Sequence, residues 1–205
     1  MRVLIGVSTI RDAHKPIWQV ATYNNLERPP GTDFRLSTSY EGIAGNRNAI
    51  AKCALDEDYS HVLFLDDDIG FPVDGLTQML RWQYPVVAGV YRLRVNCVSV
   101  GNFVGGFAWS PIAWPRDNPA EYCSMAAGGC LLVDARILRQ LSQPWWEFHP
   151  DHSEDVHFAH KLVTELGIPI LADLRVRCGH GTPMWMEPDG RVSWSGQPRK
   201  VVTGE

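Results

Sequence analysis

The chain has 205 residues with a formal net charge of −4, and 45% of its residues are hydrophobic against 20% charged. That composition supports an ordinary buried core, disfavours non-specific nucleic-acid binding, and contains no run of about 20 apolar residues that would span a membrane. The five cysteines (Cys53, Cys97, Cys123, Cys130, Cys178) are odd in number and form no C-x-x-C pair, so neither a disulfide framework nor a zinc ribbon is expected, and a reducing cytoplasm fits best.

In chain order, the apolar run from Arg2 to Thr9 predicts a buried strand rather than a signal peptide, because no small-residue cleavage site follows it. A helix is expected from Pro16 to about Asn24, and "DFRLSTSYEG" alternates weakly, as a second strand would. Ala49, Ile50, Cys53 and Ala54 have helical spacing within Gly45–Asp58. The run "HVLFL" predicts a strand ending on Asp66, Asp67 and Asp68, and "PVDGLTQMLRW" predicts a helix starting at Pro72 with Leu76, Met79 and Leu80 on one face. "PVVAGVYRL" is a further strand. Alternating strands and helices of this kind predict an α/β fold with a mostly parallel central sheet flanked by helices.

Beyond that point "VNCVSVGNFVGGFAW" suggests strands or a hairpin broken by glycine, and "SMAAGGCLLVDARILRQL" a loop, a short strand and a helix. "SEDVHFAHKLVTELG" predicts a helix with Ser153 as N-cap, a stripe of Val156, Ala159, Leu162, Val163 and Leu166, and Gly167 as terminator. "PILADLRVRCGH" is the last strand of the sheet. Residues 1–182 thus form one domain, and the Pro-, Gly- and Trp-rich stretch 183–205 a tail or lid. Of the eight tryptophans, Trp114, Trp185 and Trp194 lie in Gly/Pro-rich stretches where exposed rings can serve ligands, sugars included.

Three adjacent carboxylates at a strand end repel one another unless water or a cation screens them. Ligands of open α/β sheets sit beyond the carboxyl ends of the strands. In an extended chain Asp66 and Asp68 share a face, and two carboxylates there suit Mg²⁺ or Mn²⁺ with substrate phosphates. The plainer alternative is a solvated acidic turn. Glu154 and Asp155 fit two roles: complements to a helix dipole, the plainer reading on local grounds, or a general base facing the site. His180, between Gly179 and Gly181, suits a metal ligand. Arg47 suits a diphosphate, with Asn48 beside it, and Gly128 and Gly129 leave room for a sugar ring or an unusual turn. His149, His152, His157 and His160 cluster in sequence without the partners a zinc site requires.

Taken in order, "RNAIAKCAL", "HVLFLDDDIGFPVDGLTQML", "PVVAGVYRLR", "AAGGCLLVDARIL", "PWWEF", "SEDVHFAHKLVTELGIPILAD" and "CGHGT" resemble a GT-A-fold glycosyltransferase, closest to short single-domain family-2-type enzymes of bacteria and phages. The resemblance covers Arg2 to about Thr182. It implies a D-x-D motif in Asp66–Asp68, with Asp66 facing the ribose and Asp68 binding Mn²⁺ or Mg²⁺. It implies Asp155 as general base with Glu154 beside it holding the acceptor or the loop, and His180 as a second metal ligand. Donor contacts would come from Thr9, Arg11, Arg47, Asp66, Asp67, Gly128 and Gly129, and acceptor contacts from Trp145 and Trp146. The implied reaction is inverting transfer from a nucleoside-diphosphate sugar to a glycan, lipid-linked sugar, protein or modified nucleobase. The acidic residue that reads the base in many relatives has no clear counterpart in "STSYEG". A nucleotidyltransferase would carry a Gly-rich loop that "VSTIRDAHK" lacks, and a haloacid-dehalogenase phosphatase would not have Gly70 at its position. A sugar-nucleotide- or carbohydrate-binding module without activity remains the alternative of another class.

Overall fold

The computed structural model describes residues 1–9, 24–38, 42–93, 97–114, 117–181, 184–186 and 192–194, the last two segments as backbone only. The helix expected from Pro16, and Arg11, lie outside the described residues. A seven-stranded sheet forms the centre, in the order β2 (Thr32–Thr38), β1 (Val3–Thr9), β3 (His61–Asp66), β10 (Cys130–Asp134), β5 (Val86–Val90), β11 (Ile170–Arg177) and β8 (Ala120–Cys123). Strands β2, β1, β3, β5 and β11 run one way, whereas β10 and β8 run against them.

Burial on both faces explains the near-continuous apolar strands. Successive residues alternate between two cores. Leu4, Val62 and Phe64 join Ile50, Trp146 and Phe158 on one side. Val3, Ile5, Leu63 and Leu65 join Leu76 and Met79 on the other. The first core is closed by α1 (Gly42–Asp56) and α4 (Glu154–Leu166), with α3 (Ala135–Gln140) beside them, and the second by α2 (Gly75–Arg81). A Cβ at Gly6 would stand 2.3 Å from Ile50 Cγ2, so only glycine lets α1 lie this close to β1.

Several expectations shift. The buried stripe of α1 is Arg47, Ile50, Ala51 and Ala54, while Ala49 is exposed. Helix α2 begins at Gly75 rather than Pro72, because the Pro72 carbonyl closes a turn with the Gly75 N–H at 3.0 Å. On α4, Val163 is exposed and Phe158 takes its place in the core; Gly167, with φ of 65°, ends the helix in the left-handed region as expected. Asp134 caps α3 by accepting the Arg136 N–H at 2.8 Å.

The Asp134 carboxyl is disfavoured by burial, but bonds from Arg136 outweigh this and hold it below the usual carboxylate range. A depressed folded pKa gives stability that is present above the ordinary carboxylate value and lost as pH falls through the folded one. Asp134→Ala is therefore expected to cost about 1 kcal/mol in urea unfolding at pH 7, and less below pH ~3. An unchanged midpoint at pH 7 would show that the cap contributes nothing.

Strand β10 decides where the site forms. It is entered from the antiparallel set β6 (Val100–Gly105), β7 (Ala108–Pro111) and β9 (Met125–Ala126). Its register sets Cys130 opposite Leu65 and Asp134 opposite His61. Running backwards, it delivers its first residues, and Gly128 and Gly129 before them, to the carboxyl end of β3. The two-residue strands β4 (Ile69–Gly70) and β12 (Gly179–His180) pair antiparallel and bring the end of the β11 segment to the same place. Past Thr182, β13 (Met184–Met186) pairs antiparallel with β14 (Val192–Trp194). Among the described residues, no helix is long and apolar enough to cross a membrane.

Candidate functional site

The three aspartates leave β3 in different directions. Asp66, the last strand residue, accepts from Arg47 Nη2 at 2.7 Å. Asp67 accepts from the Thr9 hydroxyl at 2.5 Å, which ties the turn to the end of β1. Thr9 is itself anchored, its carbonyl accepting from Asn46 at 3.0 Å. Asp68 lies 3.5 Å from His180 Nε2. The β4–β12 bridge makes that approach possible, and the Gly181 N–H donates to the Asp68 carbonyl at 2.6 Å.

His180 Nδ1 meets the Arg92 carbonyl oxygen at 2.7 Å. A carbonyl only accepts, so Nδ1 carries the proton and Nε2 is the nitrogen turned toward Asp68. This is the usual arrangement of a metal-ligating histidine, whose other ring nitrogen is fixed by a carbonyl or carboxylate. A hard oxygen and an imidazole nitrogen, flanked by Gly70, Gly179 and Gly181, fit Mn²⁺ or Mg²⁺, provided substrate and water fill the other positions. No group of three or more His, Cys, Asp or Glu among the described residues could hold a metal unaided.

Arg47 is the hub of the site. It is 1% exposed, and its guanidinium donates to Asp66 through Nη2 and to Glu154 Oε1 through Nη1. Burial opposes its charge, but Asp66, Glu154 and Asp155 outweigh burial and hold it protonated beyond the ordinary arginine. For Asp66 and Glu154 burial dominates: both carboxyls are pushed up, with Arg47 pulling against the rise. Arg47, expected beside a diphosphate, is thus buried with both terminal nitrogens engaged by Asp66 and Glu154. Arg47 sits in the second turn of α1, on its buried stripe, and joins the end of β3 to the start of α4.

The glycines serve this hub. A Cβ at Gly128 would stand 2.6 Å from Arg47 Cζ, and one at Gly129 would stand 2.5 Å from the Tyr91 hydroxyl and 2.9 Å from Asp66 Oδ2. Both residues are buried, so the room they make is taken by Arg47, Tyr91 and Asp66 rather than left open for a sugar ring. Tyr91 was not singled out from sequence. Its hydroxyl accepts the Gly129 N–H at 3.0 Å, its ring meets His180 edge-on at 5.3 Å, and burial pushes its pKa well up. An aromatic directly after the apolar run of β5 was the available signal.

Asp155 opens α4 next to Glu154. Ser153 occupies the N-cap position, yet its hydroxyl donates to Asp155 Oδ1 instead of accepting a backbone N–H. The Val156 N–H also donates to Oδ1, at 2.8 Å. Both bonds fall on one oxygen, which fixes the carboxylate and leaves Oδ2 as the oxygen able to receive a proton. Glu154, buried against Arg47, holds the hub and does not reach outward to an acceptor.

Trp145 and Trp146, expected beside an acceptor, are 3% and 1% exposed. Trp146 stacks on Phe158 and meets Phe64, and Trp145 Nε1 donates to the Leu138 carbonyl at 2.8 Å. Asn48 holds both, accepting their backbone N–H groups at 3.1 Å and donating to the Trp146 carbonyl at 2.7 Å. The pair is core, because a tryptophan pair buries more apolar surface than any neighbouring side chain could. The four histidines gather around the β6–β7 hairpin. Phe107 stacks on His152 at 3.7 Å, and His152 Nε2 lies 3.4 Å from His157 Nδ1.

No protein-family model matches the chain, and no curated protein matches its sequence. Solved structures do resemble it. A197 from STIV superposes with a TM-score of 0.67 at 18% identity, over 97% of this chain and 96% of that one. GalNAc-T7, solved with UDP, GalNAc and Mn²⁺, gives 0.64 at 11% identity over 87% of this chain. S. aureus TarS 1–349, solved with UDP-GlcNAc, gives 0.52 at 14% identity over 84%. This chain spans 43% of that GalNAc-T7 chain and 56% of that TarS chain. These likenesses establish the fold: a mixed α/β GT-A fold built on a mostly parallel sheet flanked by helices.

Proposed function

We propose that this chain is a metal-dependent inverting glycosyltransferase, moving a sugar from a nucleoside-diphosphate sugar to an acceptor hydroxyl. The observation that carries the reading is the aimed pair of Asp68 and His180, with Nδ1 of the imidazole committed to the Arg92 carbonyl and Nε2 directed at the carboxylate. The pair stands at the carboxyl end of a GT-A sheet, and GalNAc-T7 on the same fold was solved with UDP and Mn²⁺.

Asp68 and His180 would hold Mn²⁺ or Mg²⁺, which supplies Lewis-acid neutralisation of the leaving diphosphate. The chain's own residues do the rest. Asp66, its position fixed by Arg47, would meet the ribose, and the Thr9–Asp67 bond keeps the turn beneath the donor in place. Asp155 Oδ2 would take the proton of the attacking hydroxyl. A single in-line attack inverts the anomeric centre and requires no carboxylate nucleophile. Residues 1–182 form the catalytic domain in this reading, and the stretch 183–205 a tail or lid. All five cysteines are free thiols, which suits the cytoplasm.

The test is thermal-shift titration with UDP and UDP-sugars, with and without Mn²⁺. A ligand at a hundred times its dissociation constant stabilises the folded protein by about 2.7 kcal/mol. The expected result is a nucleotide shift that requires Mn²⁺ in the wild type and vanishes in Asp68→Ala and His180→Ala. A shift indifferent to Mn²⁺ and to both substitutions would refute the metal site. Binding without any donor turnover or hydrolysis would leave a binding module.

A further inference from the structure

The tip of the β6–β7 hairpin is open. Val104 is exposed, and a Cβ on Gly105 or Gly106 would meet nothing within 4 Å. Phe107 turns back toward the molecule. Its ring stacks on His152 with centroids 3.7 Å apart and leans on His160 at 4.3 Å, while Phe103 meets His160 edge-on at 5.6 Å. His152 also stacks on His149 at 4.8 Å and lies nearly parallel to His157. These rings clip the hairpin to the turn 149–152, whose end residues exchange two backbone hydrogen bonds at 3.2 Å. Ser153 and Asp155 follow directly.

The clip tolerates only a neutral pair of imidazoles. His152 Nε2 and His157 Nδ1 face each other at 3.4 Å, so a hydrogen bond between them needs one of the two bare. The neutral pair carries two protons on four nitrogens. A third proton leaves a single bare nitrogen, which must be one of the facing two. His152 Nδ1 then becomes an N–H, and it is buried with no partner among the described residues. A buried donor without an acceptor costs more than a cation gains on a partly exposed aromatic face. Burial, the largest influence, holds both histidines below their ordinary value. His149 and His160 oppose charge on His152, and Asp151 favours it; Lys161, His152 and His160 oppose charge on His157, and Glu147 favours it. Residues 100–111 of the hairpin carry no titratable side chain.

We infer that Phe107, His152 and His157 form an acid-released latch, which holds the β6–β7 hairpin against the turn before α4 while the pair is neutral and lets go when it takes up a proton. The latch does not depend on the glycosyltransferase reading. A histidine that binds its proton less readily when folded contributes stability that is full above about pH 6.5 and is lost progressively as pH falls from there through the folded value. Release frees the turn leading to Ser153, whose hydroxyl donates to Asp155 Oδ1. Mild acid is thereby coupled to the orientation of the candidate base.

The experiment is NMR of the full chain without ligands, from pH 7.5 to pH 5, in wild type, His152→Phe and Phe107→Ala. In wild type, His152 and His157 are expected to titrate below about 6.5. At that midpoint the Phe107–His152 ring NOE should be lost and the Val156 amide should shift. His152→Phe keeps an aromatic ring and removes the shared proton, so its hairpin should stay closed at pH 5, without the amide shift at that midpoint. Phe107→Ala should lose amide protection over residues 103–109 already at pH 7.5, with β3 unaffected. A pair that titrates at or above the ordinary value, or a ring NOE that survives its protonation, would overturn the latch. So would a hairpin released at pH 5 in His152→Phe, or fully protected in Phe107→Ala. A Val156 amide that does not follow the hairpin would overturn the coupling to Asp155.

Discussion

Replacing Arg47 by methionine is expected to destabilise the protein by about 3–5 kcal/mol at pH 7, the cost of removing one partner from a buried ion network. The guanidinium is shared by Asp66 and Glu154, and both carboxyls already sit where burial raises their pKa. Without the arginine, the main opposition to that rise is gone, and only a backbone N–H bond at Glu154 still pulls against it. The sign of the pH dependence follows. A carboxyl whose folded pKa is raised binds a proton more readily when folded, so its contribution is most favourable below the ordinary carboxylate value and is lost as pH rises through the folded one. The deficit of Arg47→Met should therefore be largest near neutrality and shrink toward pH 4. Adding Glu154→Gln should recover part of it, since the two residues share one network and their effects will not add. Urea unfolding of wild type, single and double variants at pH 7 and pH 4.5 measures this. A deficit below about 1 kcal/mol, or one that does not change with pH, would show that Arg47 is not the counter-charge of a buried pair of acids.

How far the sequence foretold this hub depends on which residue is asked. The strand ending at Asp66, the helix opening at Glu154 and the glycine at 167 were all legible, because apolar runs, acidic first turns and helix-ending glycines are local signals. The role of Arg47 was not read, although its signal was present: it stands three, four and seven residues before Ile50, Ala51 and Ala54, on the buried stripe of α1. Charge invited a surface assignment, and only the carboxylates of two distant elements make burial tolerable. Trp145 and Trp146 failed for the opposite reason. Their acceptor role came only from the resemblance, and their burial depends on Asn48, some hundred residues earlier in the chain. The reversal of β10 was also out of reach. An apolar pentapeptide reads the same in either direction, and its direction is set by the β6–β7–β9 excursion that precedes it. That reversal is what sets Gly128 and Gly129 against Arg47 and Asp66 at the end of β3.

Asp155→Asn is the substitution expected to cost most in activity, lowering transfer by about 10²–10⁴ if the carboxylate is the general base. The geometry makes the variant informative. Oδ1 accepts from the Ser153 hydroxyl and the Val156 N–H, and an asparagine Oδ1 can accept both. The amide would then occupy the place of Oδ2, the same size but unable to take a proton. Folding and Mn²⁺-dependent donor binding should therefore persist while the proton transfer is lost. Steady-state kinetics would show the fall in kcat with little change in the KM for donor, as for an interaction made only in the transition state. Ser153→Ala offers a graded control, because it removes one of the two bonds that orient Asp155 and should lower kcat far less. Should Asp155→Asn keep wild-type kcat, the proton must leave by another group, and the acidic first turn of α4 would be a helix-dipole partner and an anchor for Arg47 alone.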